Sequence, residues 1–303
     1  MKRKILFTET SGLNTSVDPV RHKYSDETGV TELGVAKNVD VDDTGRPGTR
    51  KGWLYTVITS AAHSMFCEGG AWLCVIGDAL TLVAEDLSTR ALRNVTVGAR
   101  MSYVQLEDRI YYANGREIGF VRDGVSVGWS KPATVFNLKD TTRVLSGPPV
   151  GSLLEYQNGR MLINQSNVIW ESEQYDVNAY NLAKGFVRME GTVTMVKGVT
   201  DGVWVGTRNK VVFLRGSFSG DYKYELKGRF GVIPGTAVKV DGFLLGDGKI
   251  PEVGVLFVGK YGPCMGTSDG RLLPLSERKI TVPNAVRGAG TVINKKYVFT
   301  LED

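Results

Sequence analysis

The groups that could do chemistry are few. The sequence holds two histidines, His22 and His63, and three cysteines, Cys67, Cys74 and Cys264. Hydrolysis needs an activated nucleophile or a matched acid and base, and a zinc site needs Cys and His at short, fixed spacing. His22 sits in a polar N-terminal stretch, and His63 opens a strand pattern after Ser60-Ala-Ala. Neither has a Cys, His or carboxylate at metal-ligand spacing. The cysteines show no ligand spacing and read as small apolar core residues. No residue is therefore assigned a catalytic, cofactor-binding or metal-binding role, no cofactor is expected, and the chain reads as a non-enzyme.

The remaining motifs have simpler readings. The turn Asp40-Val-Asp-Asp-Thr-Gly45 is similar to the start of an EF-hand loop but lacks the loop length and the terminal bidentate Glu. Ser268-Asp-Gly270 is similar to the Asp-box turn, Ser-x-Asp-x-Gly-x-x-Trp, yet its Ser and Asp are adjacent and no Trp follows in place. A hairpin turn is expected there. Asn14-Thr-Ser and Asn94-Val-Thr fit the glycosylation pattern and, without a secretory signal, are expected to be chance matches. Trp53, Trp72, Trp129, Trp170 and Trp204 read mostly as core; Trp129, beside Ser130-Lys-Pro, has an exposed connection as its alternative.

The elements around these residues follow one pattern. Apolar runs of five to seven residues recur between Gly, Asn and Asp, which is how strands and tight turns read. They include Trp72–Gly77, Arg109–Asn114, Arg160–Asn164, Val203–Thr207, Val255–Gly259 and Tyr297–Leu301. Asn-Gly and Asp-Gly before two of them supply the positive φ angles of two-residue hairpins. With Leu73, Ile110, Met161, Val203, Leu256 and Val298 as equivalent positions, the interval averages about 45 residues, the length of a four-stranded propeller blade. A sheet with two apolar faces cannot bury itself, so copies must stack face to face around an axis. The expected fold is all-β: a single β-propeller of about six four-stranded blades over residues 34–303, with an extended N-terminal arm over 1–33. The C-terminal pair is two strands short of a blade, and Gly34–Asp42 with Arg46–Trp53 is expected to complete it. Two packed sandwich domains would explain the strand count but not the recurrence. Breaks near 131–150 and 173–185 are expected to be connections on a propeller face.

Composition adds bounds. The chain has 303 residues, 42% of them hydrophobic and 23% charged, ordinary for a globular protein. No apolar run is long enough for a membrane span, and the opening after Met1-Lys-Arg-Lys lacks the apolar length of a signal peptide, so synthesis and residence in the cytoplasm are expected. The formal charge of +5 is spread along the chain; the one local basic group is Arg46, Arg50 and Lys51 in a Gly/Pro-rich turn.

Four stretches carry a family resemblance. Ala36–Gly52 resembles the opening strand pair of podoviral tail proteins of the hub, nozzle or packaged-DNA-stabilisation type, with its Asn-Val-x-Val and Arg-x-Gly elements. Asn158–Ser172, Gly202–Gly216 and Gly254–Ser276 are similar to later units of the same family, in the same order. The resemblance implies a structural virion protein of a short-tailed bacteriophage, assembled in the host cytoplasm. It implies a homohexamer below the portal or adaptor ring, in contact with other tail proteins, continuing the DNA channel. Genomic DNA would pass without sequence-specific binding, and the ring would help retain and deliver the genome. The alternatives are a cellular propeller used as a protein-interaction module, and a sugar-binding or hydrolytic propeller.

Overall fold

The computed structural model describes residues 9–22, 30–42, 44–50, 52, 61–68, 71–130, 144–241, 253–276, 279–280, 282 and 285–302. Trp53, Lys51 and most of the 131–150 break lie outside them. Five antiparallel sheets of four or five strands follow one another along the chain, and a two-stranded hairpin ends it. The first blade is Ala62–Glu68, Ala71–Ile76, Ala79–Val83 and Thr89–Asn94. The second is Ser102–Leu106, Arg109–Ala113, Ile118–Arg122 and Val125–Gly128. The third starts with Leu153–Gln157, Arg160–Gln165 and Val168–Glu173, and Phe186–Arg188 supplies its outer strand. The fourth is Val193–Val199, Gly202–Thr207, Val211–Arg215 and Lys223–Gly228, and the fifth Val238–Asp241, Val253–Gly259, Gly262–Gly266 and Leu272–Pro274. The six positions taken as equivalent, Leu73 through Val298, each lie in the second strand of their sheet.

The continuous apolar runs follow from burial on both faces. Successive side chains of a strand point to opposite faces, so a strand between two neighbours must be apolar at every position. Val203 and Val205 pack with Leu162 and Ile169 of the third blade, whereas Trp204 between them packs with Val255 and Phe257 of the fifth. Tyr112 and Ile110 join the first blade, while Tyr111 joins Met161 and Ile163 of the third. One apolar cluster fills each junction from the first blade to the C-terminal hairpin, where Leu256 and Met265 meet Val292 and Tyr297. Exposure rises toward the fourth strands, which touch solvent on their outer edge.

The ring closes side against side. The hairpin Arg287–Ile293 with Lys296–Glu302 turns at Asn294 and Lys295, both at positive φ as a two-residue turn of this kind requires. Gly288 N–H donates to Pro234 O and Tyr297 Oη to Thr236 O, fixing the hairpin to the fifth blade. On its other side Arg287–Ala289 and Thr300–Glu302 share a cavity wall with Ala61–Ser64 of the first blade. The order of the sheets and this return to the start make the chain a six-membered β-propeller whose last member is two-stranded among the described residues.

Two details depart from expectation. The N-terminal strands Val39–Val41 and Pro47–Thr49 form their own hairpin and share no ladder with Lys296–Glu302; the two hairpins meet through Lys296 Nζ and Val41 O, 3.4 Å apart. Three-residue strands, one opening on a proline that has no N–H to donate, offer little to a seven-residue neighbour. The break near 173–185 holds a strand, Asp176–Tyr180, paired to the end of Val168–Glu173 and bridged from Ser146. The described part of the arm is a parallel pair, Glu9–Leu13 with Val30–Leu33. It is tied to the body by Thr15 N–H to Lys279 O and by Lys279 Nζ to Glu32, 3.4 Å.

Candidate functional site

Innermost strands bring their side chains together on the propeller axis. Glu155, from the first strand of the third blade, is buried and takes two ammonium groups: Lys197 Nζ of the fourth blade at 3.3 Å and Lys239 Nζ of the fifth at 3.1 Å. The third and fifth blades are not neighbours, so the Lys239–Glu155 pair crosses the axis. A second tie spans the ring where the inner strands begin. Arg100, between the first and second blades, donates to Gly235 O at 3.1 Å and to Gly288 O. The Arg100 guanidinium is pushed below its ordinary pKa by burial and by the neighbouring Arg287.

Between these ties lies a cavity of about 360 Å³, walled by the starts of three inner strands, by the segment leading into a fourth and by their connections. Its cations are Arg100, Lys197 and Arg208, and among the described residues no carboxylate lines it. Thr194, buried in the wall, has a hydroxyl with no hydrogen-bond partner among the described residues. This group follows no motif or spacing rule, yet it leaves a signal in the sequence. Leu153-Leu-Glu-Tyr-Gln, Thr194-Met-Val-Lys-Gly and Val238-Lys-Val each place one charge inside an otherwise buried strand pattern, and such charges need partners.

The residues singled out for chemistry scatter instead of converging. His22 closes a short 3-10 turn of the arm. His63 lies at the junction of the first blade and the C-terminal hairpin, its Nδ1 2.9 Å from Ser64 Oγ, which also accepts Met101 N–H. Burial, Arg100 and Arg287 lower its pKa below the usual 6.5. The folded state therefore binds the proton less readily than the unfolded chain, and the stability present above 6.5 is lost as pH falls through and below it. Melting temperature is expected to drop between pH 7.5 and 5.5, and His63→Gln to flatten that drop; an unchanged slope in the variant would assign it to other groups.

Asp42 caps its own turn, accepting from Thr44 N, Thr44 Oγ1 and Arg46 N, and the Thr44 bond lowers its pKa. Asp40 pairs with Arg50 at 3.0 Å, which neutralises part of the basic turn. Ser268–Gly270 forms the turn between Gly262–Gly266 and Leu272–Pro274, with Asp269 held by Thr267 Oγ1 and Arg271. Asn14 donates to Glu32 at 2.9 Å and is buried. Trp129 is buried, its ring tilted against Tyr111 with centroids 4.8 Å apart and its Nε1 donating to Asn178, so the exposed alternative does not hold. Cys74 and Cys264 are core residues, burial pushing the Cys264 thiol up to about 11. Cys67 is exposed: a bulge between His63 and Phe66 re-aims the strand, and the reading of all three as core is corrected.

No family model matches the sequence, and no curated protein matches it. Solved structures of similar shape include virginiamycin B lyase from Staphylococcus aureus, at 12% identity over 92% of this chain and 90% of that one, TM-score 0.48. BBS1N, solved in complex with ARL6DN, is 10% identical over 73% of this chain and 66% of that one, TM-score 0.47. The extracellular domain of the two-component system BT4673 from B. thetaiotaomicron is 12% identical, TM-score 0.46. The match covers 71% of this chain but spans only 27% of that domain's length.

Proposed function

We propose that this chain is a non-catalytic β-propeller that works by holding partners, and that its working form is a homohexameric ring in the tail of a short-tailed bacteriophage. The observation that carries this reading is the apolar character of two outer rims. Val125 and Val127 on the fourth strand of the second blade are 58% and 42% exposed, and Tyr224 and Leu226 on that of the fourth blade 48% and 40%. Leu273 and Leu275 extend the second rim onto the fifth blade. Open strand edges with exposed apolar side chains invite pairing and are normally blunted by charge or covered.

A cyclic ring needs two different patches on each subunit. Rims two blades apart in a six-membered propeller stand about 120° apart, the angle between neighbours in a hexagon. The order of podoviral motifs along the chain supports the finer reading. Sedimentation of the purified chain, alone and with portal-ring proteins, tests it. A six-subunit mass is expected, lost in Leu226→Glu or Val127→Glu with the subunit's melting temperature retained. A monomer that binds a cellular protein through the same rims would replace the ring with an interaction module. A monomer that turns over a small substrate would overturn both.

A further inference from the structure

We propose that the axial cavity binds a phosphate-type oxyanion, as free phosphate or as the phosphoryl group of a small monoester. The wall supplies positive charge without a counter-charge of its own: among the described residues Arg100, Lys197 and Arg208 line it and no carboxylate does. Glu155, behind Lys197, is shared with Lys239 and so balances only one of those cations. Arg208 makes no ion pair or side-chain hydrogen bond with any described residue, and Arg100 spends two of its five N–H donors on backbone oxygens.

A second observation points the same way. Thr194 lines the cavity and is more than nine-tenths buried, and its hydroxyl has no partner among the described residues. Two guanidinium groups and an ammonium offer more donors than a carboxylate can accept; the three terminal oxygens of a phosphoryl group match them. Bound negative charge would also stabilise the Arg100 guanidinium, whose pKa burial and the neighbouring Arg287 depress. A volume of about 360 Å³ suits a small molecule and excludes a nucleic-acid duplex. The site does not depend on ring assembly, so its failure and that of the hexamer are separable.

Calorimetric titration of the full chain with inorganic phosphate, glycerol phosphate and acetate tests the inference. Saturable binding of the two phosphates is expected, with acetate at least tenfold weaker. Arg208→Gln should weaken phosphate at least tenfold, while Lys223→Gln, on the outer strand of the fourth blade, leaves it unchanged. Circular dichroism and melting of both variants check that they fold. Tighter binding of glycerol phosphate than of phosphate would identify a monoester as the ligand, and the reverse the free ion. Absence of saturable binding, equal binding of acetate, or an Arg208→Gln variant that binds phosphate like the parent would overturn the proposal.

Discussion

Trp204→Ala is expected to destabilise the propeller by about 3–5 kcal/mol, the cost of removing a large aromatic side chain from a closed core. Trp204 has no exposed surface, its ring centroid stands 5.0 Å from that of Phe213, and its Nε1 donates to Thr267 O at 2.9 Å. It fills the junction between the fourth and fifth blades, where Val255, Phe257 and Cys264 meet it. Alanine leaves a cavity and leaves Thr267 O with Gly270 N–H as its one remaining donor. Trp204→Phe keeps most of the packing and loses the hydrogen bond, so about 1–2 kcal/mol is expected. Chemical denaturation of the three proteins measures both. A Trp204→Ala cost under about 1 kcal/mol would mean that the junction can collapse or that the blades do not pack there.

Glu155→Leu is expected to cost about 2–4 kcal/mol, because it strands two lysine ammonium groups near the axis. Removing one member of a fully buried pair costs roughly 3–5 kcal/mol. The side chains of Lys197 and Lys239 are 26% and 39% exposed, so water relieves part of that here. The triple variant Glu155→Leu, Lys197→Met, Lys239→Met should return to near the parent stability, since an apolar set of similar volume can replace a buried ion group. A silent single variant, or a triple variant as weak as the single, would show that these three charges do not meet.

Much of the fold could be read directly because the physics that places it is local. Asn158-Gly159 supplies two positive φ angles at a hairpin turn, and the apolar run after it is the buried strand Arg160–Gln165. The 45-residue recurrence is a packing requirement written along the chain, and it marks the second strand of each of the five blades and of the C-terminal hairpin. Asp201-Gly202 was misread in detail. Gly202 opens a strand instead of sitting in the turn, and a Cβ there would stand 2.1 Å from Leu214 O. Close approach across a sheet has no signature in neighbouring residues, so the glycine looked like turn chemistry.

The axial group was illegible for a related reason. Glu155 and Lys239 are 84 residues apart and meet only because the ring closes, so no spacing rule links them. Cys67 likewise sits in an apolar context, and only the bulge beside it turns it outward.

The central claim is that blades far apart in sequence close into a ring whose axis is tied by its own charged side chains. Carbodiimide treatment of the monomeric fraction, followed by peptide mass spectrometry, tests it most directly, because the reagent joins a carboxylate to an amine only where they already touch. The expected product joins the peptide of Glu155 to that of Lys239 across the third and fifth blades, with a second product at Lys197. Lys239 and Lys197 joined only to carboxylates of their own blades, with Glu155 reactive toward added amine, would contradict the closed ring.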